Sequence, residues 1–154
     1  TNTWHFSELI PYKELLKQGY VDGVMSAHIV NKKLDARGLP GTLSDSILGK
    51  LLRKDIGYTG VVFSDDMQMH AITKHYGLEE AIRLTILAGV DIMTFSNNIT
   101  GSEERTVDKV HSIIKKLVQD GKIPEERIDA SFKRIMRVKN ALVYDKSRYL
   151  KEAN

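Results

Sequence analysis

Tyr58-Thr59-Gly60-Val61-Val62-Phe63-Ser64-Asp65-Asp66 decides the fold. A β-branched apolar run enters through a glycine and closes on a serine and two adjacent carboxylates. A fully buried strand that ends in solvent has this composition. Two further segments repeat the pattern: Tyr20 to Val30 (YVDGVMSAHIV) upstream and Val90 to Ser96 (VDIMTFS) downstream. Their centres, Val24, Val61 and Ile92, lie 37 and 31 residues apart, the length of a strand plus a returning helix. With no hairpin signal between them, the three strands are expected to run parallel.

The intervening segments carry helical periodicity. Ser7 to Leu16 reads as a helix with Pro11 in its first turn, stopped by Gly19. Asn31 to Gly41 (NKKLDARGLPG) reads as an exposed loop. Ser44 is expected to cap a helix bearing Ile47, Leu48, Leu51 and Leu52. Met67 to Tyr76 is ambiguous, Leu78 to Ala88 reads as a helix closed by Gly89, and Ser102 is expected to open a long helix closed by Gly121. A last helix follows Pro124, and residues 144–154 read as a basic polar tail after a domain of residues 1–143. Parallel strands covered by helices give an α/β fold, either a small doubly wound sheet or a piece of a barrel, and periodicity does not separate the two.

Composition narrows the function classes. The 154 residues contain no cysteine, which excludes disulfides and thiolate metal sites. A net charge of +3 is too mild to indicate a nucleic-acid binder, and no stacking platform or nucleic-acid motif accompanies the basic residues. Lys133, Arg134, Arg137 and Lys139, continuing to Lys146, Arg148 and Lys151, read as a solvated helix face. No apolar run approaches the roughly 18 residues of a membrane span, and the first residues lack a signal-peptide layout.

Ligands of parallel α/β folds gather at the carboxyl ends of strands. Those ends read Ser26-Ala27-His28, Ser64-Asp65-Asp66 and Ser96-Asn97-Asn98. Successive strand residues face opposite sides, so Asp65 and Asp66 cannot share a direction, and parity alone leaves open which one faces a site. His28 could line a pocket there, and Met25 and Met69 stand near enough in sequence to brush a ligand, although core packing is the default for methionine. His5 and His111 read as surface residues. His70 and His75 lack the i,i+4 spacing of a zinc pair, and a site from Asp65, Asp66 and His70 offers too few oxygens for a hard cation, so no metal is expected.

The stretch GVMSAHIVNKKLDARGLPGTLSDSILGKLLRKDIGYTGVVFSDDMQMHAI, followed by HYGLEEAIRLTILAGVDIMTFSNN, resembles the glycoside hydrolase family 3 β-N-acetylglucosaminidases. The resemblance runs from about Trp4 to Leu142. Its most specific pieces are FSDDMQM at Phe63–Met69 and GLPGTLS at Gly38–Ser44, and EERIDASFKRIMRVK at Glu125–Lys139 is similar to the family's closing helix. It implies part of a (β/α)8 barrel, about three C-terminal parallel βα units plus flanking helices. It also implies Asp65 as the nucleophile of a retaining hydrolysis, Asp66 as the residue that holds the following turn, and no cofactor.

The implied partner is an N-acetylglucosamine-containing saccharide from peptidoglycan, and the implied location is the bacterial cytoplasm. The family's Lys-His substrate-gripping motif and its His–Asp acid/base loop precede the segment that matches Thr1. The chain is therefore expected to be inactive alone, and to pair with an N-terminal barrel half or self-associate. The competing reading is a non-catalytic α/β structural or interaction module.

Overall fold

The computed structural model describes residues 3–69, 72, 75–96 and 106–152, and of 143–152 the backbone alone. Three strands, β1 (Gly23–Met25), β2 (Val61–Asp66) and β3 (Ile92–Thr94), form a sheet of order β1-β2-β3. Both neighbouring pairs are parallel, as the spacing requires. The helices are α1 (Ile10–Lys17), α2 (Ser46–Asp55), α3 (Leu78–Ala88), α4 (Thr106–Gln119) and α5 (Glu125–Glu152).

The strands are shorter than their apolar runs. After Met25, the ladder's last backbone bond to β2 is from the Ser26 N–H to the Phe63 carbonyl (2.9 Å). The carbonyls of Ala27 and Ile29 then accept from Thr42 (3.1 Å) and Gly41 (3.0 Å), so the returning loop takes the place of a neighbouring strand. A Cβ on Gly41 would stand 2.9 Å from the Ala27 carbonyl oxygen, and glycine is what permits this close return. Val90 likewise belongs to the end of α3, its N–H bonded to Thr85, and β3 starts only at Ile92. Gly89, at φ 124°, ends α3 in a conformation that L side chains rarely adopt.

Helix α1 is preceded by a 3-10 turn at Phe6–Leu9, and Pro11 sits in its first turn. Ser44 caps the next helix as expected, its Oγ accepting the Ile47 N–H (3.1 Å). That helix, α2, is wider than an α-helix. Its N–H groups reach back five residues, Lys50 to Asp45 (2.8 Å) and Ile56 to Leu51 (2.9 Å), the π pattern that is rare at such length. Ser102 lies outside the described residues. Helix α5 continues beyond residue 143 to Glu152.

The three apolar clusters gather on the side of the sheet that Val24, Val62 and Met93 face. Val62 meets Leu48, Tyr58, Ala88 and Val90, while Met93 touches that cluster and two more built on Ile82–Leu117 and Leu43–Met67–Ile72. On the opposite face Val61 is buried at the amino end, and the face opens toward the carboxyl end. Met25 is 69% exposed there, and its register partner Phe63 is only partly covered.

One buried carboxylate ties the helices to the amino ends of the strands. Asp91 is 0% exposed and lies among Arg53, Arg127 and Arg134. Its Oδ2 accepts from the Val62 N–H (3.0 Å) and Arg53 Nη2 (2.8 Å), and its Oδ1 accepts from the Ser131 hydroxyl (2.7 Å) and Arg134 Nη2 (2.9 Å). Burial raises the Asp91 pKa, but the Arg134, Ser131 and Val62 donors outweigh it and hold the carboxyl below its usual range. The guanidinium of Arg127 spans the Ile86 and Val90 carbonyls (both 2.7 Å) and so closes the end of α3. Arg134 is therefore not part of a solvated basic face; it points inward, 21% exposed. The side chains of Lys146, Arg148 and Lys151 lie outside the described residues.

The loop after β1 is pinned rather than loose. Asp35, 2% exposed, receives Arg37 through Nε (2.9 Å) and Nη2 (2.7 Å), and Ser44 Oγ donates to it at 2.6 Å. Arg37 also pairs with Asp45. The Arg37 bonds, helped by Ser44, outweigh burial and hold the Asp35 carboxyl at about 2.

Two outcomes follow. Asp91→Ala leaves three guanidiniums without their counter-charge and should lower unfolding free energy by about 3–5 kcal/mol in urea titration; a loss under about 1 kcal/mol would show the cluster to be dispensable. Asp35 has a depressed folded pKa, so its contribution is present above the unfolded value and fades as pH falls from about 4 to about 2. That contribution is at most on the order of 2 kcal/mol, reduced by water around half-exposed Arg37. Asp35→Asn should flatten acid unfolding in that window, and an unchanged acid limb would contradict the assignment.

Candidate active site

The carboxyl end of β2 departs from regular pairing where its two carboxylates stand. Phe63 pairs with Ile92 and Asp66 with Thr94, so Ser64 and Asp65 oppose Met93 alone. This is a β-bulge, which re-aims the side chain it carries. Ser64 repairs the broken ladder: its Oγ accepts the Thr94 N–H (2.8 Å) and its carbonyl accepts the Thr94 hydroxyl (3.1 Å).

The two carboxylates have different surroundings. Asp65 is partly exposed, and its Oδ1 accepts the N–H of Asp66 (2.8 Å). Asp66 is bound on every polar group. Its Oδ1 accepts from Gln68 N–H (3.0 Å) and Ser96 N–H (3.2 Å), and its Oδ2 accepts from the Ser96 hydroxyl (2.6 Å). Burial raises the Asp66 pKa, yet those donors outweigh it and the carboxyl stays ionised below its ordinary range. The Gln68 bond closes an Asx turn, the turn-holding role expected of this residue. The bond to Ser96 was not legible, because it joins residues 30 apart through a sheet register that the bulge shifts.

His28 approaches the same point from β1. Its Nε2 lies 2.9 Å from the Asp66 carbonyl oxygen. A carbonyl only accepts, so Nε2 carries the proton and Nδ1 is left as an acceptor. Among the described residues Nδ1 is buried without a partner, a condition that costs about 1–3 kcal/mol. The structure thus brings His28 to the backbone of the second residue of the pair. Met25 is exposed on the open sheet face two register steps before Asp65, and Met69 is 44% exposed just beyond the turn. Met67 is fully buried core. His5 caps the first turn through Nδ1, His111 is exposed, and His70, Asn97 and Asn98 lie outside the described residues.

Among the described residues no cluster of three or more His, Asp or Glu could hold a metal ion. Nor is any helix of the described residues long and apolar enough to cross a membrane. Among the described residues, what the strand end offers is a carboxylate with one oxygen tied and one available, beside a second carboxylate fully committed to structure. A carboxylate held this way is suited to attack a carbon or to stabilise positive charge from one side.

Comparison with known proteins shows the family. Residues 3–138 match the model of the glycosyl hydrolase family 3 N-terminal domain. A beta-hexosaminidase of Tolumonas auensis is 32% identical over 96 residues, which cover 62% of this chain and 28% of that protein. A beta-hexosaminidase of Neisseria meningitidis serogroup C is 35% identical over 91 residues, covering 59% and 24%. Among solved structures, CbsA from Thermotoga neapolitana superposes with a TM-score of 0.80 at 30% identity, covering 90% of this chain and 30% of that one. A family 3 β-N-acetylglucosaminidase from Paenibacillus sp. gives a TM-score of 0.77 at 35% identity, covering 90% and 25%. The chain thus spans less than a third of the length of these relatives, and by fold, motif and matched length it belongs to glycoside hydrolase family 3.

Proposed function

We propose that the chain is the nucleophile-bearing part of a retaining β-N-acetylhexosaminidase, with Asp65 attacking the anomeric carbon to form a glycosyl-Asp intermediate. The observation that carries this reading is the contrast at the end of β2. The Asp66 carboxylate accepts three hydrogen bonds and its carbonyl two more, from His28 Nε2 and the Met69 N–H, whereas the Asp65 carboxylate accepts one and keeps Oδ2 unengaged among the described residues. A nucleophilic carboxylate must be ionised, oriented and free on the attacking oxygen.

The substrate would be a saccharide ending in N-acetylglucosamine, such as a peptidoglycan fragment, and the reaction calls for neither metal nor organic cofactor. His28, Met25 and Met69 stand at the rim as candidate sugar neighbours. The same family resemblance favours the bacterial cytoplasm as its location.

Hydrolysis also needs a group that protonates the leaving oxygen, a contribution of about 10²–10⁴-fold, and none of the described side chains is placed against Asp65 for that task. We therefore assign the acid and the sugar-gripping groups to a complementary N-terminal barrel half. Two features support such a partner. The outer edge of β1 is unpaired among the described residues. Beside it runs an apolar groove of about 330 Å³, lined by residues including Trp4, Tyr12, Val24, Met25 and Leu51.

The test is a chimera in which this chain replaces the structurally matching stretch of the Paenibacillus sp. family 3 β-N-acetylglucosaminidase, a match that covers 90% of the chain. It should turn over a chromogenic N-acetylglucosaminide, and Asp65→Asn should reduce kcat by more than about 10³-fold. The chain alone should show no turnover. Steady turnover by the chain alone, lost in Asp65→Asn, would overturn the division of labour, and an active Asp65→Asn chimera would overturn the nucleophile.

A further inference from the structure

The last residue of β2 is held from all three strands, and we propose that this hold aims the nucleophile: His28 is a positioning residue for Asp65, acting through the backbone of Asp66. The inference rests on the reading of Asp65 given above. It starts from a continuous chain of bonds. His28 Nε2–H donates to the Asp66 carbonyl (2.9 Å), which the Met69 N–H reaches from the other side of the turn (3.1 Å), Ser96 and Gln68 hold the Asp66 carboxylate, and the Asp66 N–H donates to Asp65 Oδ1 (2.8 Å). His28 follows β1, Asp66 ends β2 and Ser96 follows β3.

Fixing a residue at its carbonyl and at its side chain leaves its N–H little freedom of direction. With the Asp66 N–H pinned, Asp65 Oδ1 is pinned, and so is the plane of its carboxylate. Oδ2 is then the oxygen available to attack. The position of the bulge agrees with this, since the irregularity lies between the two strands' last pairings, where the clamp must accommodate two carboxylates of opposite duty.

His28 is itself set by the local backbone. The Ser26 N–H and Oγ both reach the Phe63 carbonyl, at 2.9 and 3.1 Å. Ser26 Oγ also meets Thr42 Oγ1 at 2.9 Å, and the Ala27 carbonyl takes the Thr42 N–H. The imidazole is thus delivered by a fixed strand end. Its buried Nδ1 has no donor among the described residues, which a residue chosen only for packing would avoid. An apolar side chain would fill the space without leaving a bare acceptor. The ring brings one thing such a side chain lacks, the N–H on the Asp66 carbonyl.

The geometry is tested by NMR on the isotopically labelled chain. Long-range proton–nitrogen correlation should show His28 protonated at Nε2 and bare at Nδ1. A through-hydrogen-bond coupling should connect the Asp66 nitrogen to the Asp65 carboxyl carbon. His28→Leu should retain the fold but lose that coupling, and His28→Gln, which keeps an N–H donor, should restore it. In the chimera, His28→Leu should lower kcat by about 10²-fold with KM little changed, and His28→Gln should recover most of it.

An Nδ1–H tautomer in the unmodified chain would overturn the proposal, whatever the variants do. So would a coupling or a kcat that is indifferent to His28→Leu while Asp65→Asn still abolishes turnover. If Asp65 were not the nucleophile, the coupling would still respond to His28 while Asp65→Asn left turnover intact, which separates the two failures.

Discussion

The buried carboxylate of Asp91 is the point on which the rest of the structure depends. Three short parallel strands expose few ladder hydrogen bonds and cannot define their own register strongly. Asp91 supplies what the strands lack. One of its oxygens grips the backbone of β2 at Val62 and the guanidinium of Arg53, which itself holds the Gly60 carbonyl at the entrance to β2. The other holds Ser131 and Arg134 on α5. Arg127 extends the same junction to the carbonyls that end α3. A carboxylate taken fully from water is tolerable only because donors surround it. The result is one junction at the amino ends of the strands that fixes where their carboxyl ends arrive.

At those carboxyl ends the chemistry is divided between neighbouring residues. Asp66 and Asp65 are chemically identical, and environment alone separates them. Asp66 is saturated with donors from three segments and is spent on structure, while Asp65 keeps an oxygen free among the described residues. The β1–α2 loop serves the same end. Asp35, Arg37 and Ser44 lock it down, and Thr42 in turn holds the strand end that delivers His28.

Much of this was legible in the sequence. The spacing of Val24, Val61 and Ile92 gave parallel βα units, the helix over Leu78–Ala88 matches residue for residue, and Ser44 caps as its type suggests. The strand lengths were not legible, because an apolar run at Ser26–Val30 looks the same whether its backbone bonds a strand or a returning loop. Alternation could not choose between Asp65 and Asp66, and the bulge explains why: it adds one residue on β2 against β3, so period-two reasoning fails at the position of interest. Arg134 read as surface charge because its partner, Asp91, is 43 residues away and sits in an apolar strand run. The one available signal was that acidic residue inside VDIMTFS, together with Arg127 and Arg134 seven apart on one helix.

The central claim is that Asp65, and not its neighbour, carries the sugar. The most direct measurement is to trap the active chimera with a mechanism-based fluoro-sugar, digest it, and sequence the modified peptide by mass spectrometry. The account predicts a glycosyl adduct on Asp65. An adduct on Asp66, or on any residue outside the end of β2, would contradict it.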